Sequence, residues 1–168
     1  VRHVLPRAPG GLTSRSFVPG RDGRAWLVGN AAAFVDPPVQ GRRTLHDLLA
    51  REAEPWFDPH GLLLAELDGA LLGSVWTKVH PASDLEPERG EIYVLGVDPA
   101  ERGRGLGRLL AELALAHLRD RGLRVAILYT EQGNTAAVRL YRSLGFDGTG
   151  TDVQYRLLST AHHLGAPC

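Results

Sequence analysis

The fold is decided by the stretch Glu91-Ile-Tyr-Val-Leu-Gly-Val-Asp98, which is followed by Pro99-Ala-Glu-Arg-Gly-Arg-Gly-Leu-Gly-Arg-Leu-Leu110. The first part is rich in β-branched and aromatic residues, which predicts a strand that Asp98-Pro99 ends. A glycine-rich turn then leads into a leucine-rich amphipathic run, which predicts a helix. The glycines of the turn are Gly103, Gly105 and Gly107, and the cations beside it are Arg102, Arg104 and Arg108. Because glycine carries no Cβ, successive backbone N–H groups can surround a phosphate at the positive end of the helix.

The glycine spacing alone leaves several interpretations of this turn open. It is compatible with a flexible surface turn that binds nothing. A Walker nucleotide loop is disfavoured because no Lys-Ser/Thr pair follows Gly107. A dinucleotide fingerprint needs an acidic residue closing the second strand of a βαβ unit, and residues 124–130 end differently. The pattern that the turn does match is Arg-x-x-Gly-x-Gly, formed by Arg102, Gly105 and Gly107.

Length and composition predict a single globular domain. The chain has 168 residues, of which 43% are hydrophobic and 23% charged, with a formal net charge of zero. No global basic field indicates a nucleic acid or membrane partner, and no apolar run approaches the ~20 residues of a membrane helix. The lone Cys168 cannot form an internal disulfide. We therefore expect a cytoplasmic location. The chain begins at Val1 and contains no Met, so either valine stands for a non-standard initiator or the N-terminus is incomplete.

The order of the predicted elements indicates a mixed α/β sheet with helices on both faces. Residues 12–158 form the predicted domain, residues 1–11 an irregular leader or linker, and residues 159–168 a flexible tail. The elements, in chain order, are a strand over 12–18, a helix after Asp22, a helix after Thr44, a hairpin of 62–67 and 71–79 around Asp68-Gly69, a strand over 91–97, a helix over 106–121, a buried strand over 125–130, a helix from Asn134 to Gly145, and a strand over 152–158. Asp22 and Asn134 are predicted to cap their helices, and Thr44 with Asp47 three residues later predicts a capping box.

A second local pattern accompanies the glycine turn. Asn134, Ala137 and Tyr141 precede Gly145-Phe146, and with Arg-x-x-Gly-x-Gly they make the sequence resemble the GNAT acyltransferase family. The resemblance implies a GNAT fold with a twisted, mostly antiparallel sheet, acetyl-CoA as co-substrate, and backbone pairing of Leu95 and Val97 with pantetheine. The residues implied to contact the cofactor are Leu95, Gly96, Val97, Arg102, Gly103, Arg104, Gly105, Leu106, Gly107, Arg108, Asn134, Ala137 and Val138.

Six ordered blocks resemble more narrowly the C-terminal domain of the mycothiol synthases, which are GNAT enzymes of actinobacteria. This likeness implies acetyl transfer to the cysteinyl amine of desacetylmycothiol, a glucosaminyl-inositol conjugate. Two departures stand against it. The synthases have two tandem GNAT domains, and they carry an acidic residue where Val39 precedes Gln40-Gly41 here. The blocks are residues 17–22, 30–34, 54–59, 76–81, 91–99 and 141–146.

Acyl transfer to an amine needs a base, because an α-amine with a pKa near ~7.7 is mostly protonated at pH 7. The resemblance implies that Glu91 is this base, although the residue alone would suit a surface ion pair with Arg89. Regular strand alternation would place Glu91 on one side with Tyr93, Leu95 and Val97.

Tyr141 is the candidate acid, since a phenol stays protonated at pH 7 and can donate a proton to a departing thiolate. A buried core ring is the alternative interpretation. The family likeness implies that Lys78 and Tyr129 bind the acceptor, where each could otherwise be an ordinary strand residue.

The remaining titratable residues indicate no further chemistry. His117, on the helix over 106–121, is predicted to be a surface or boundary residue rather than a ligand. The pair His162 and His163 lacks the spacing of a metal site, so we expect no metal. Without a nucleophile set, we expect direct attack in a ternary complex. Two alternatives remain: another acceptor, such as a protein N-terminus or other small amine, and a non-catalytic acyl-CoA-binding domain. A second GNAT domain or a homodimer is a further expectation.

Overall fold

The sheet is built outward from a hairpin whose turn is Asp68-Gly69. Both turn residues have positive φ, 50° for Asp68 and 84° for Gly69, as a two-residue hairpin turn requires. The hairpin joins β3 (Leu62–Leu67) to β4 (Ala70–His80). The predicted hairpin is therefore confirmed.

A computed structural model describes residues 2–4, 11–34 and 43–148. In this part of the chain six strands form one sheet in sequence order, with every neighbouring pair antiparallel except the parallel β5–β6 pair. The predicted mixed, mostly antiparallel sheet is confirmed. The other elements are β1 (Arg2–Val4), β2 (Leu12–Ser16), α1 (Gly23–Ala33), α2 (Leu45–Glu52), β5 (Arg89–Val97), α3 (Leu106–Asp120), β6 (Ala126–Leu128) and α4 (Thr135–Ser143).

Two predictions about the edges of the fold need correction. Residues 2–4 are not an irregular leader but a strand, which pairs with β2 from Arg2↔Arg15 to Val4↔Thr13. The buried strand expected over 125–130 is shorter, and its ends are open to solvent: Val125 is 43% and Tyr129 67% exposed. The predicted strand over 152–158, the tail over 159–168 and Val39 lie outside the described residues.

One face of the sheet is covered by α3. Leu110, Ala111 and Ala114 are fully buried against strand residues that include Val75 and Ile92. The close approach depends on Gly90 of β5, because a Cβ there would lie 2.6 Å from Leu118 of α3. This glycine thus sets how near α3 lies to the strand that carries Glu91.

The other face is covered by α1 and α2 around two tryptophans. Trp26 of α1 and Trp76 of β4 are fully buried, with ring centroids 5.4 Å apart in a T-shaped arrangement. The indole N–H of Trp26 donates to Ser74 Oγ at 3.1 Å. α2 begins at Thr44 with the predicted capping box, in which Thr44 Oγ1 accepts from the backbone N–H of Asp47.

A β-bulge at Tyr93 changes the alternation of β5. Trp76 pairs with Val94 and Thr77 pairs with Ile92, so Tyr93 has no partner on β4. Tyr93 and Val94 consequently both pack in the tryptophan core, whereas Leu95 and Val97 pack in the α3 core. The prediction that Glu91 shares a face with Leu95 and Val97 is therefore wrong.

Asp22 precedes α1, but its carboxylate does not cap the helix as predicted. It accepts instead from the guanidinium of Arg15 at 2.5 Å, that of Arg21 at 2.9 Å and the backbone N–H of Val18 at 2.8 Å. Arg15 also binds Glu66 of β3. Burial alone would raise the pKa of Asp22, yet the Arg21, Arg15 and Val18 donors together hold it well below its usual range.

Asp22→Asn should lower the free energy of unfolding at pH 7 by about 2 kcal/mol, because charged hydrogen bonds are lost at a buried site. Since the pKa of Asp22 is depressed in the folded state, its stabilisation is complete above about pH 4 and declines as the pH falls further. Urea unfolding between pH 3 and pH 7 measures both effects. Asp84→Asn, in the exposed loop between β4 and β5, is the control. A difference between wild type and Asp22→Asn that stays constant with pH would contradict the assignment.

Candidate active site

A cleft opens where β5 and β6 part. The two strands pair only from Gly90↔Ala126 to Ile92↔Leu128. β5 continues to Val97 while β6 ends at Leu128. Within the described residues, the part of β5 beyond Ile92 thus pairs with β4 alone, from Val94 to Val97, and the backbone groups of its other edge can pair with an extended ligand.

The predicted strand, turn and helix are all present beside this cleft. Gly103 and Gly105 have φ of 77° and 86°, and a Cβ at either position would meet no atom within 4 Å. Gly105 precedes the first turn of α3, so the open space faces the positive end of a 15-residue helix. Gly107 differs, since its Cβ would contact Val97 and Leu140 at ordinary distances. Two of the three glycines therefore leave room for a ligand.

The arginines around the turn already have protein partners. Arg102 donates to the carbonyl of Ala33 at 2.7 Å, at the end of α1. Arg104 pairs with Glu101 at 2.6 Å, and Arg108 binds both Glu112 at 2.8 Å and Ser143 at 3.0 Å. Arg104 and Arg108 are exposed, and such surface pairs are worth only about 0–1 kcal/mol, so a phosphate can compete for these two cations.

α4 lies against the start of α3 through its second half. Leu140 faces Gly107, and Ser143 accepts from Arg108. Asn134 caps its own helix as predicted, because its Oδ1 accepts from the backbone N–H of Ala137 at 3.1 Å. Asn134 is exposed, and Ala137 and Val138 are half-buried. Burial raises the pKa of Tyr141, whose ring packs on Phe146 at 5.9 Å.

The three residues predicted to handle the acceptor lie on two adjacent strands and just beyond the end of a third. Lys78 of β4 is directly opposite Glu91 of β5, and Glu91 pairs with Ile127 of β6. Tyr129 follows two residues later, just past the end of β6. Glu91 is buried on the tryptophan side of the sheet, whereas Tyr141 packs in the α3 core on the other side. The candidate base and acid therefore approach the β5–β6 cleft from opposite faces.

Sequence reasoning missed several side chains that surround Lys78 and Glu91. Lys78 Nζ lies 4.9 Å from the ring centroid of Trp56 and 5.8 Å from that of Tyr93. The Arg43 guanidinium carbon lies 5.5 Å from the Tyr93 ring. His80 Nε2 is 2.7 Å from Glu91 Oε2. The signal for His80 was available, because residues two apart on a strand share a face and His80 follows Lys78 by two.

Comparison with a family model decides which protein family the chain belongs to. The model described as "Acetyltransferase (GNAT) family" matches residues 34–146 of the chain. The chain belongs to the GNAT family. The resemblance inferred from the glycine turn and the Asn134 helix is confirmed.

Named relatives narrow the comparison. A mycothiol acetyltransferase of Cellulomonas flavigena is 59% identical over 155 residues, covering 89% of this chain and 44% of the relative. One from Thermobispora bispora is 57% identical over 152 residues, covering 90% and 52%. The narrower resemblance to the mycothiol synthases is thus confirmed. The chain spans about half the length of these curated relatives.

Solved structures confirm the GNAT fold. A GCN5-related N-acetyltransferase from Sphaerobacter thermophilus has a TM-score of 0.66 at 31% identity, with 83% of this chain and 42% of that chain covered. The ribosomal-protein-S18-alanine N-acetyltransferase of Escherichia coli has a TM-score of 0.66 at 23% identity, with 83% and 79% covered. The second likeness bears on the fold alone.

Among residues 2–4, 11–34 and 43–148, no three His, Cys, Asp or Glu side chains are grouped so that they could hold a metal ion. His117 is half-buried, and burial lowers its pKa. Its Nε2 lies 3.5 Å from Asp58, which also binds Arg121 at 2.6 Å. Of the helices in these ranges, none has the length and apolar character needed to cross a membrane.

Burial predicts that Tyr141 ionises at higher pH than free tyrosine, whose pKa is about 10. In a titration of ¹³Cζ-labelled tyrosine followed by NMR, Tyr141→Phe should remove a signal whose titration lies above that of free tyrosine. Tyr129→Phe, which removes an exposed ring, should leave that signal in place. Persistence of the signal in Tyr141→Phe would show that another phenol is responsible.

Proposed function

We propose that this GNAT domain transfers acetyl from acetyl-CoA to the cysteinyl amine of desacetylmycothiol. The observation that carries the proposal is the pairing of Lys78 on β4 with Glu91 on β5, and of Glu91 with Ile127 on β6, two residues before Tyr129. Support comes from relatives at 57–59% identity that are named mycothiol acetyltransferases. The reaction would be cytoplasmic, and a second GNAT domain would be the partner, as the resemblance to the mycothiol synthases implies and as the roughly double length of the relatives allows.

The proposed cofactor contacts lie along the cleft and the glycine turn. Gly103 and Gly105 leave open space where a Cβ would otherwise project, so backbone N–H groups there can bind a pyrophosphate. Leu95, Gly96 and Val97 would pair with the pantetheine through the strand edge that β6 leaves open. Arg104 and Arg108 would exchange their present side-chain partners for phosphate oxygens. Leu106, Asn134, Ala137 and Val138 would line the cofactor site at the end where the glycine turn lies.

Glu91 would accept a proton from the ammonium group of the acceptor, so that the neutral amine can attack the thioester carbonyl. Lys78 is held over two aromatic rings rather than extended into solvent, which favours a role in binding and orienting a polar acceptor. Tyr141 would donate its phenolic proton to the departing thiolate. Its raised pKa keeps that proton in place at neutral pH. Both reactants would be held in one ternary complex.

Glu91→Gln should lower acetyl transfer to desacetylmycothiol by about 100-fold or more, since it removes the base but keeps the shape of the side chain. Product is measured by mass spectrometry, because the acceptor carries its own thiol and would react with thiol reagents. Glu88→Gln, in the exposed loop before β5, should retain wild-type turnover. A Glu91→Gln protein with unchanged turnover would exclude Glu91 as the base.

The same mass-spectrometric assay separates this function from the two alternatives, which are another acceptor amine and a non-catalytic acyl-CoA-binding domain. Val39, where the synthases have an acidic residue, favours a different acceptor, such as a protein N-terminus or another small amine. Transfer to an Ala- or Ser-terminated peptide but not to desacetylmycothiol would support that function. Tight acetyl-CoA binding without transfer to any amine would support a non-catalytic domain.

Gly105→Val should weaken acetyl-CoA binding at least about tenfold, or 1.4 kcal/mol, because the side chain would fill the space beside the backbone N–H groups. Gly122→Val is a matched control: Gly122 has φ of 84°, its Cβ would also meet nothing within 4 Å, and it lies at the far end of α3. Both variants carry similar backbone strain. Calorimetry that shows equal loss of affinity in the two variants would exclude a specific role for the turn.

A further inference from the structure

His80 is the last residue of β4, and it is the hydrogen-bond partner of the proposed base. Its Nε2 lies 2.7 Å from Oε2 of Glu91. The side chain of Glu91 is only 9% exposed, whereas that of His80 is 29% exposed. A buried carboxylate is stable only when donors satisfy it. The imidazole of His80 is therefore the group that satisfies the buried carboxylate of Glu91, and it is the more exposed member of the pair.

We propose that His80 is the positioning residue of the base: its Nε2–H holds Oε2 of Glu91, and so leaves Oε1 to accept the proton of the acceptor amine. This inference rests on the proposed function. In the step itself, the N–H bond of the ammonium breaks, an O–H bond forms at Oε1, and the hydrogen bond from His80 to Oε2 remains in place. His80 does not touch the acceptor and acts only through Glu91.

The surroundings of the pair favour donation by His80. Lys78 lies opposite Glu91, and Arg89 lies opposite His80 with its guanidinium paired to Glu86 at 2.5 Å. Tyr93 shares the face, and its ring is flanked by the cations of Lys78 and Arg43. Among these cations Oε2 of Glu91 acts as an acceptor, and the Nε2–H of His80 is the donor that matches it. The Nε2–H tautomer is thus required by the proposal.

The kinetic test compares two His80 variants. In His80→Ala, kcat for acetyl transfer should fall about tenfold, and the acidic limb of the pH profile should move to higher pH, because a hydrogen bond that favours the ionised carboxylate is lost. In His80→Gln, whose amide can donate from a similar position, kcat and the limb should stay near wild type. His46→Ala, at an exposed position on α2, is the control. Calorimetry should show unchanged acetyl-CoA affinity in all three.

Two kinetic results would overturn the proposal: a wild-type pH profile and kcat in His80→Ala, or equal impairment of His80→Gln and His80→Ala. In a Glu91→Gln background, His80→Ala should have no further effect on kcat, whereas an additive loss would indicate a role independent of Glu91.

A readout that needs no activity separates this inference from the proposed function. ¹⁵N NMR of the imidazole should show the Nε2–H form of His80 in the wild-type protein and a changed Nε2 shift in Glu91→Gln. A neutral Nδ1–H imidazole would overturn the proposal even in an active enzyme. An inactive protein with the Nε2–H form would reject the proposed function and keep the His80–Glu91 contact.

Discussion

The bulge at Tyr93 is the constraint on which the arrangement of the site depends. Side chains alternate along a strand, so one extra residue inverts the faces of everything that follows. It allows Ile92, Leu95 and Val97 all to pack under α3 although Glu91 projects to the opposite side. It also turns Gly96 toward α1, where a Cβ would lie 3.0 Å from Ala33. A regular strand would send Leu95 into that contact and would remove it from the α3 core.

The same strand separates the two proposed proton-handling groups by the thickness of the sheet. Glu91 belongs to the tryptophan side and Tyr141 to the α3 side. A reaction that uses both Glu91 and Tyr141 needs an opening between strands of the sheet. The gap beside β5 beyond Leu128, where β6 ends, is such an opening. Among residues 2–4, 11–34 and 43–148, no strand takes up along Tyr93–Val97 the backbone hydrogen bonds that a complete β5–β6 ladder would make. An exposed edge of this kind is normally a liability, which an extended ligand relieves.

Local signals predicted most of the fold. The Asp68-Gly69 hairpin, the Thr44 capping box and the Asn134 cap are each set by a few neighbouring residues, and each is present in the structure. What could not be predicted depends on pairing between distant segments. The bulge follows from the register of β4 against β5, and the partners of Asp22 come together only when β2, β3 and α1 pack. The same limit hid the position of Trp56, which depends on the chain before β3 packing against Lys78 and Tyr93. His80 follows Lys78 by two residues on β4, so the strand period alone could have found it.

α3 sets the distance between the two halves of the site, which are the glycine turn and the carboxylate of Glu91. Leu106 begins the helix beside the glycine turn, and Leu118 rests in the space left by Gly90, the residue before Glu91. At 1.5 Å per residue these two positions are ~18 Å apart along the axis. A residue inserted between them would rotate Leu118 by ~100° away from Gly90 or move the turn along the strand. The length of α3 therefore fixes the spacing between the anion-binding turn and the carboxylate, so loops around the site can vary while this helix cannot change length.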